Sequence, residues 1–164
     1  MPLLCSTFTA PIGKINLIAR DGILLSANLS TMAAAKRALD SEDRAMGFSE
    51  VKTIPQISDL LREYFAGDVS AINGIEVRQP GAQFSQAAWK AMRKIRPGKV
   101  LSYSELAERA GSFAAVRAAG SACAKNAIVL VVPCHRIVKT GGALGNYAYG
   151  VNTKEWLLRH EGAL

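Results

Sequence analysis

Apolar and polar positions alternate with a period of two over the first thirty residues, so that Leu4 to Thr9, Lys14 to Ala19 and Ile23 to Leu29 read as short β-strands. Pro11-Ile12-Gly13 and Asp21-Gly22 separate them with turn chemistry, which predicts a meander. The period then lengthens. Thr31 to Leu39 is alanine-rich and helix-prone, and Ile57, Leu60, Leu61, Tyr64 and Phe65 recur at helical spacing until Gly67 stops them. A helix on a sheet is the expected arrangement. Residues 68–82 hold Gly74, Pro80 and Gly81 and no clear period, which sets an expected boundary between an N-terminal domain, residues 1–75, and a C-terminal domain, residues 80–164.

The second half opens on another helical pattern, Phe84, Ala88, Trp89, Met92 and Ile95, closed by Pro97-Gly98. Ser102-Tyr103-Ser104-Glu105 fits a capping box, and the short helix it starts should end at Gly111. The segment Phe113 to Lys125, alanine-rich and carrying Arg117 and Lys125, completes a helix-turn-helix pattern. Ile128 to Val132 is β-branched and bounded by Asn126 and Pro133, so a buried strand is expected to feed directly into Cys134-His135-Arg136. Gly141-Gly142 and Gly145-Asn146 mark a loop, and Thr153 is the expected cap of a last helix that turns Trp156, Leu157 and His160 inward.

With 49% apolar and 20% charged residues, this chain can bury a core and is not disordered. Its net charge of +7 is unevenly spread. Residues 1–78 carry eight basic and nine acidic side chains, residues 79–164 twelve and four. A positive field confined to one half suits a polyanion, most simply nucleic acid, because phosphate contacts supply affinity independent of sequence. Three cysteines without a C-x-x-C pair argue against a disulfide framework and for a reducing, cytoplasmic compartment. The N-terminus lacks the basic and apolar regions of a leader, and no apolar run has the ~18 residues of a membrane span.

The chemistry concentrates at Cys134. A cysteine beside a histidine is weak evidence alone, but Pro133 constrains the backbone before it and Arg136 adds a positive charge expected to favour thiolate. Neighbouring side chains on a regular strand point to opposite faces, so cooperation between Cys134 and His135 demands a turn there or a bridging water, and both are expected.

Asn126, the block Pro133-Cys134-His135-Arg136, Gly145-Asn146-Tyr147, Lys154-Glu155-Trp156-Leu157-Leu158 and His160-Glu161-Gly162 together resemble the O6-alkylguanine-DNA alkyltransferases. The likeness is densest over residues 80–164. It implies an α+β protein: a small N-terminal α/β domain of RNase H-like type with an antiparallel sheet, and a mainly helical winged helix-turn-helix domain bearing the reactive cysteine. It also implies DNA repair in a single turnover, in which Cys134 irreversibly takes the alkyl group from O6-alkylguanine, and from O4-alkylthymine, in a nucleotide flipped out of the duplex. His135 is then the base, Glu161 its orienting acid, and Asn126 the brace of the active-site turn.

By the same resemblance Arg117 fills the vacated stack, Ala118 and Gly120 let their helix approach the DNA backbone, and Tyr103 meets the 3′ phosphate and the flipped base. Arg136, the Ile137 carbonyl and the Ala148 N–H complete the substrate contacts. Ala148 stands where some relatives have a hydroxyl residue, Ala127 where the family usually has proline, and Tyr149 adds bulk beside the pocket. Zinc-bearing relatives use cysteines and histidines of the first domain, which here holds only Cys5, so neither metal nor other cofactor is expected. Double-stranded DNA is the expected partner of a monomer. Two other readings stay open: a Cys-His hydrolase or acyltransferase, which would turn over esters or amides, and a non-enzymatic lesion sensor, against which the presence of Cys134 speaks.

Overall fold

The turn at Pro11-Ile12 folds β1 (Leu3–Ala10) back on β2 (Gly13–Arg20), and Asp21-Gly22 folds β2 back on β3 (Ile23–Asn28). Both pairs are antiparallel. The sheet grows at its two edges by β4 (Phe48–Glu50), parallel to β1, and β5 (Glu76–Val77), parallel to β3, giving the order β4-β1-β2-β3-β5. The centre is thus the expected antiparallel meander, while the edges are parallel because helical crossovers precede each of them. The computed structural model describes residues 1–164.

Two helices occupy the first crossover. In α1 (Met32–Arg37) the Thr31 hydroxyl accepts from the Ala34 N–H, and in α2 (Ser41–Ala45) Asp40 accepts from Asp43. The second crossover contains α3 (Ile57–Phe65), which buries Ile57, Leu61 and Tyr64. Leu3, Cys5, Ile18 and Leu25 of the sheet pack with Ala35 and Leu39 into a continuous core. Each aliphatic side chain so buried contributes roughly 1.5–3 kcal/mol.

Contacts divide the chain into two units, Met1–Pro80 with Ala127–Val131, and Gly81–Asn126 with Val132–Leu164. The chain therefore leaves the second unit for five residues and returns just before Cys134. Those residues are anchored within the first unit by three backbone groups: Ala127 N–H donates to Gln79 Oε1 at 2.8 Å, Ala27 N–H to Ala127 O at 2.9 Å, and Val129 N–H to Ala27 O at 2.9 Å. A proline at 127 could not make the first of these bonds. The expected strand over Ile128–Val132 does not form. Only Ile128 makes a bridge, to Ala27, and Leu130 turns the chain with φ +70°, so the β-branched run is a buried turn.

In the second unit α4 (Gln83–Arg93) buries Ala88, Trp89 and Met92, and the Trp89 indole N–H donates to Ala122 O at 2.9 Å. The capping box forms as expected: Glu105 N–H donates to Ser102 Oγ, Ser102 N–H to Glu105 Oε1, and they start α5 (Tyr103–Arg109). The second helix of the pair, α6 (Val116–Lys125), begins three residues later than its alanine content suggests, because Ser112–Ala115 closes a turn in which Ala115 N–H donates to Ser112 O. A small parallel pair joins β6 (Leu101–Ser102) to β7 (Ile137–Val138).

The last helix, α7 (Val151–His160), is preceded by Gly150, and no side chain caps it. Thr153 lies inside its first turn and does not serve as the cap. Leu157 and Leu158 form its buried stripe, whereas Trp156 and His160 are half-buried and stack on each other with centroids 4.9 Å apart. No helix is long and apolar enough to cross a membrane.

Candidate active site

Pro133 directs the chain into a single 3-10 turn, Cys134–Arg136, closed by Arg136 N–H donating to Pro133 O at 3.0 Å. This is the turn that adjacent Cys134 and His135 require if they are to cooperate. Cys134 is half-buried and lines a cavity of about 430 Å³, together with Tyr103 of α5, Gly120, Cys123 and Ala124 of α6, and Lys139, Asn146, Tyr147 and Ala148 of the following loop. The volume lies in the range of small-molecule sites.

Asn126, at the end of α6, donates from Nδ2 to Val132 O at 2.8 Å and reaches Cys134 Sγ at 3.5 Å. It ties the residues on either side of the five-residue excursion and holds the sulfur in the same gesture. Burial pushes the Cys134 thiol above its ordinary range; the Asn126 hydrogen bond and the positive charge of Lys154 pull it part of the way back. The thiol therefore keeps its proton at neutral pH, and it needs a base at the moment of attack.

His135 is fully buried, and its Nε2 lies 2.9 Å from Glu161 Oε2. Burial alone would push the Glu161 carboxyl up, but hydrogen bonds and charge from His135 and Arg136 outweigh it and hold the group down to about 2. An ionised carboxylate accepts only, so Nε2 carries the proton and Nδ1 is left with its lone pair. Nδ1 is buried and has no partner in the protein. Burial lowers the imidazole below the ordinary histidine range against the opposing pull of Glu161, which keeps the ring neutral and able to accept a proton.

Arg136 does not act on the thiol. Its Nε donates to Glu161 Oε1 at 2.8 Å, Nη2 to Glu161 Oε2 at 2.9 Å and Nη1 to Ile95 O at 2.7 Å, with the residue 1% exposed. The expected substrate contact is replaced by a two-pronged grip on the carboxylate, because a buried guanidinium must place its donors on buried acceptors. The positive charge beside Cys134 comes from Lys154, which position and composition alone did not single out. It is fully buried, and its Nζ donates to Ile137 O at 2.5 Å and Asn146 O at 3.2 Å. The Ile137 carbonyl, expected to read the base edge, thus already accepts one hydrogen bond from α7.

The other expected residues separate into two groups. Tyr103, Gly120 and Ala148 line the cavity with Cys134. Arg117 is exposed and Ala118 half-buried on the N-terminal part of α6, outside the lining. Burial raises the Tyr103 hydroxyl, aided by the two cysteines, so it remains a donor. Cys123 is pushed up to about 12 by burial first and by Cys134 second, which makes it an inert wall of the cavity. A Cβ on Gly120 would meet no protein atom within 4 Å. Packing therefore does not demand glycine there, although glycine costs an interior helical position about 1 kcal/mol. Tyr149 packs edge-on against Tyr147 at 5.7 Å, one step behind the lining.

The family model of the 6-O-methylguanine DNA methyltransferase DNA-binding domain matches residues 83–163, the span that contains this cavity. A methylated-DNA–protein-cysteine methyltransferase of Methanosarcina acetivorans is 32% identical over 156 residues, covering 95% of this chain and 96% of its own. The chain belongs to this family. A methyltransferase of the same name from Shigella flexneri is 45% identical over 128 residues, 77% of this chain and 75% of that one. The crystal structure of Mycobacterium tuberculosis OGT in complex with DNA superposes with a TM-score of 0.80 at 30% identity, covering 98% of this chain and 93% of that one.

Proposed function

We propose that this protein repairs DNA by direct transfer of an alkyl group from O6 of guanine, and from O4 of thymine, to Cys134. The observation that carries this reading is Cys134 on the wall of a cavity of about 430 Å³, in a unit with excess positive charge, next in sequence to a His135 that Glu161 and Arg136 hold from behind. A nucleotide in a duplex cannot reach a half-buried sulfur, so it is rotated out into the cavity.

Within the cavity His135 Nδ1 takes the Cys134 proton through one water, and Glu161 steadies the imidazolium that forms. Sulfur then attacks the alkyl carbon in line with the C–O bond. The S–C bond forms as the C–O bond breaks, its electron pair stays with the base oxygen, and the base leaves after gaining a proton. Tyr103, held in its protonated form, hydrogen-bonds the base, while the backbone at Ile137 and Ala148 reads its edge. Arg136 acts as a positioning residue for Glu161. The product thioether has no proton to lose and no leaving group, so the protein is spent after one event.

Outside the cavity Arg117 fills the gap in the stack, and Ala118, with Gly120 at the cavity wall, lets α6 lie close to the backbone in the minor groove. Free cysteines at positions 5, 123 and 134 fit a reducing cytoplasm. The test is intact mass after incubation with a methylated oligonucleotide. One methyl group per chain, located on Cys134 and missing in Cys134→Ser, is the expected result. Multiple turnover of an ester or amide, or binding of the lesion with no mass change, would overturn it.

A further inference from the structure

Phe113 is 66% exposed, the most exposed large hydrophobic side chain of the second unit. It sits in the turn Ser112–Ala115 immediately before α6, whereas the aromatic residues within the helices of the same unit are buried, as Trp89 is at 4% exposed, or half-buried, as Phe84, Tyr103 and Trp156 are. Val116, at the first position of α6, is 37% exposed, and Arg117 beside it is also exposed. An apolar tip flanked by a cation and joined to a basic unit has one natural counterpart: the sugar edges and unstacked base faces of a nucleic-acid minor groove, where apolar wedges are pushed between steps.

Its place along α6 sharpens this. Within α6, Val116 and Arg117, Gly120, and Cys123 with Ala124 follow one another at spacings of three or four, the last two steps line the cavity that holds Cys134, and Phe113 stands in the turn just ahead of the first. With a rise of about 1.5 Å per residue, Arg117 lies roughly one helical turn from the cavity rim, and Val116 and the Ser112–Ala115 turn lie just beyond. A duplex whose flipped nucleotide enters at Gly120 therefore continues across Arg117 to Phe113.

We propose that Phe113, with Val116, is an apolar wedge that packs against the deoxyribose and base of the step next to the flipped nucleotide, and so helps hold the duplex open around Arg117. The inference rests on the reading of Cys134 as the acceptor of an alkyl group from a flipped base. Phe113 makes no contribution to the bond-forming step itself; it is a positioning residue for duplex substrate.

The experiment compares wild type, Phe113→Ala and Phe113→Leu in second-order reaction with three substrates: free O6-benzylguanine, a single-stranded methylated oligonucleotide, and the same strand in a duplex. Phe113→Ala should lose about tenfold on duplex alone, and Phe113→Leu should keep most of the rate, since an apolar wedge need not be aromatic. In the wild-type duplex, 2-aminopurine placed opposite the 3′ neighbour of the lesion should brighten on binding, and this signal should shrink in Phe113→Ala. Equal duplex rates for all three proteins, or an equal loss on free O6-benzylguanine and duplex, would overturn the wedge. A wild-type protein that takes no alkyl group onto Cys134 from any substrate overturns the reading beneath it, a result distinct from a labelled wild type with an unaffected variant.

Discussion

The side-chain amide of Asn126 donates to Val132 O at 2.8 Å and lies 3.5 Å from Cys134 Sγ. One amide thus closes the main chain on both sides of its detour and fixes the sulfur to that closure. Asn126→Ala should cost about 1–3 kcal/mol of stability in urea denaturation, from the carbonyl it leaves without a partner. Alkyl transfer should slow more than this instability explains, and Asn126→Asp, which keeps the shape and loses the donor, should slow it similarly. A variant as unstable as expected yet fully active would show that the amide serves the fold alone.

Glu161 has the opposite profile. It is held ionised by Arg136 and His135, so Glu161→Gln strands a buried guanidinium and should destabilise by about 3–5 kcal/mol. The pH dependence follows from the depressed carboxyl: its stabilisation is complete above the unfolded carboxylate range and is lost as pH falls through that range toward about 2. Chemical denaturation from neutral pH into acid should show wild type losing several kcal/mol over that window. Glu161→Gln should follow a flatter curve.

The rate of alkyl transfer should form a plateau bounded by two groups. Burial lowers His135, so the acid limb should lie below the ordinary histidine range, where the imidazole gains a proton and ceases to act as base. Burial raises Cys134, so in His135→Gln the rate should instead climb with pH until the thiol ionises unaided, above the ordinary cysteine range. Single-turnover kinetics with free O6-benzylguanine across pH would check both limbs without interference from DNA binding.

Gly120 allows a test in which stability and function move in opposite directions. A Cβ there meets no protein atom, and alanine is a better helix former, so Gly120→Ala should raise the unfolding free energy by up to about 1 kcal/mol. If α6 lies against the DNA backbone, duplex affinity should nonetheless fall severalfold in a filter-binding or anisotropy titration. Affinity unchanged in a stabilised variant would place the DNA elsewhere.

Arg117→Ala should weaken repair of duplex far more than reaction with free O6-benzylguanine, because its exposed guanidinium is outside the cavity lining. The slope of log affinity against log salt should change little if the side chain fills the stack, and should drop by about one phosphate contact if it merely neutralises backbone. Equal losses on both substrates would remove the extrusion role.

Much of this site was legible because its signals are local. The meander shows in period-two runs, and the capping box needs only Ser102 and Glu105 three residues apart. Cys134 and His135 stand out by residue type, and Glu161 only through the family resemblance of His160-Glu161-Gly162. What stayed hidden depends on distant partners. The inward turn of Arg136 is decided by Glu161 and the Ile95 carbonyl, 25 and 41 residues away. Lys154 looks like an ordinary helix-surface charge until α7 brings it to Ile137 O. The run Ile128–Val132 has strand composition, yet Leu130 adopts φ +70° because the chain must return to the second unit, and no residue-level preference for that conformation marks the place.

The detour through Ala127–Val131 anchors within the first unit the stretch of main chain that leads into Cys134. The segment is hydrogen-bonded to Ala27 and Gln79, and the very next residues deliver Pro133 and Cys134. Loosening the meander would slacken a tether whose far end is Cys134, the proposed acceptor. Amino-acid changes remote from any damaged base can thereby set how promptly a lesion is erased.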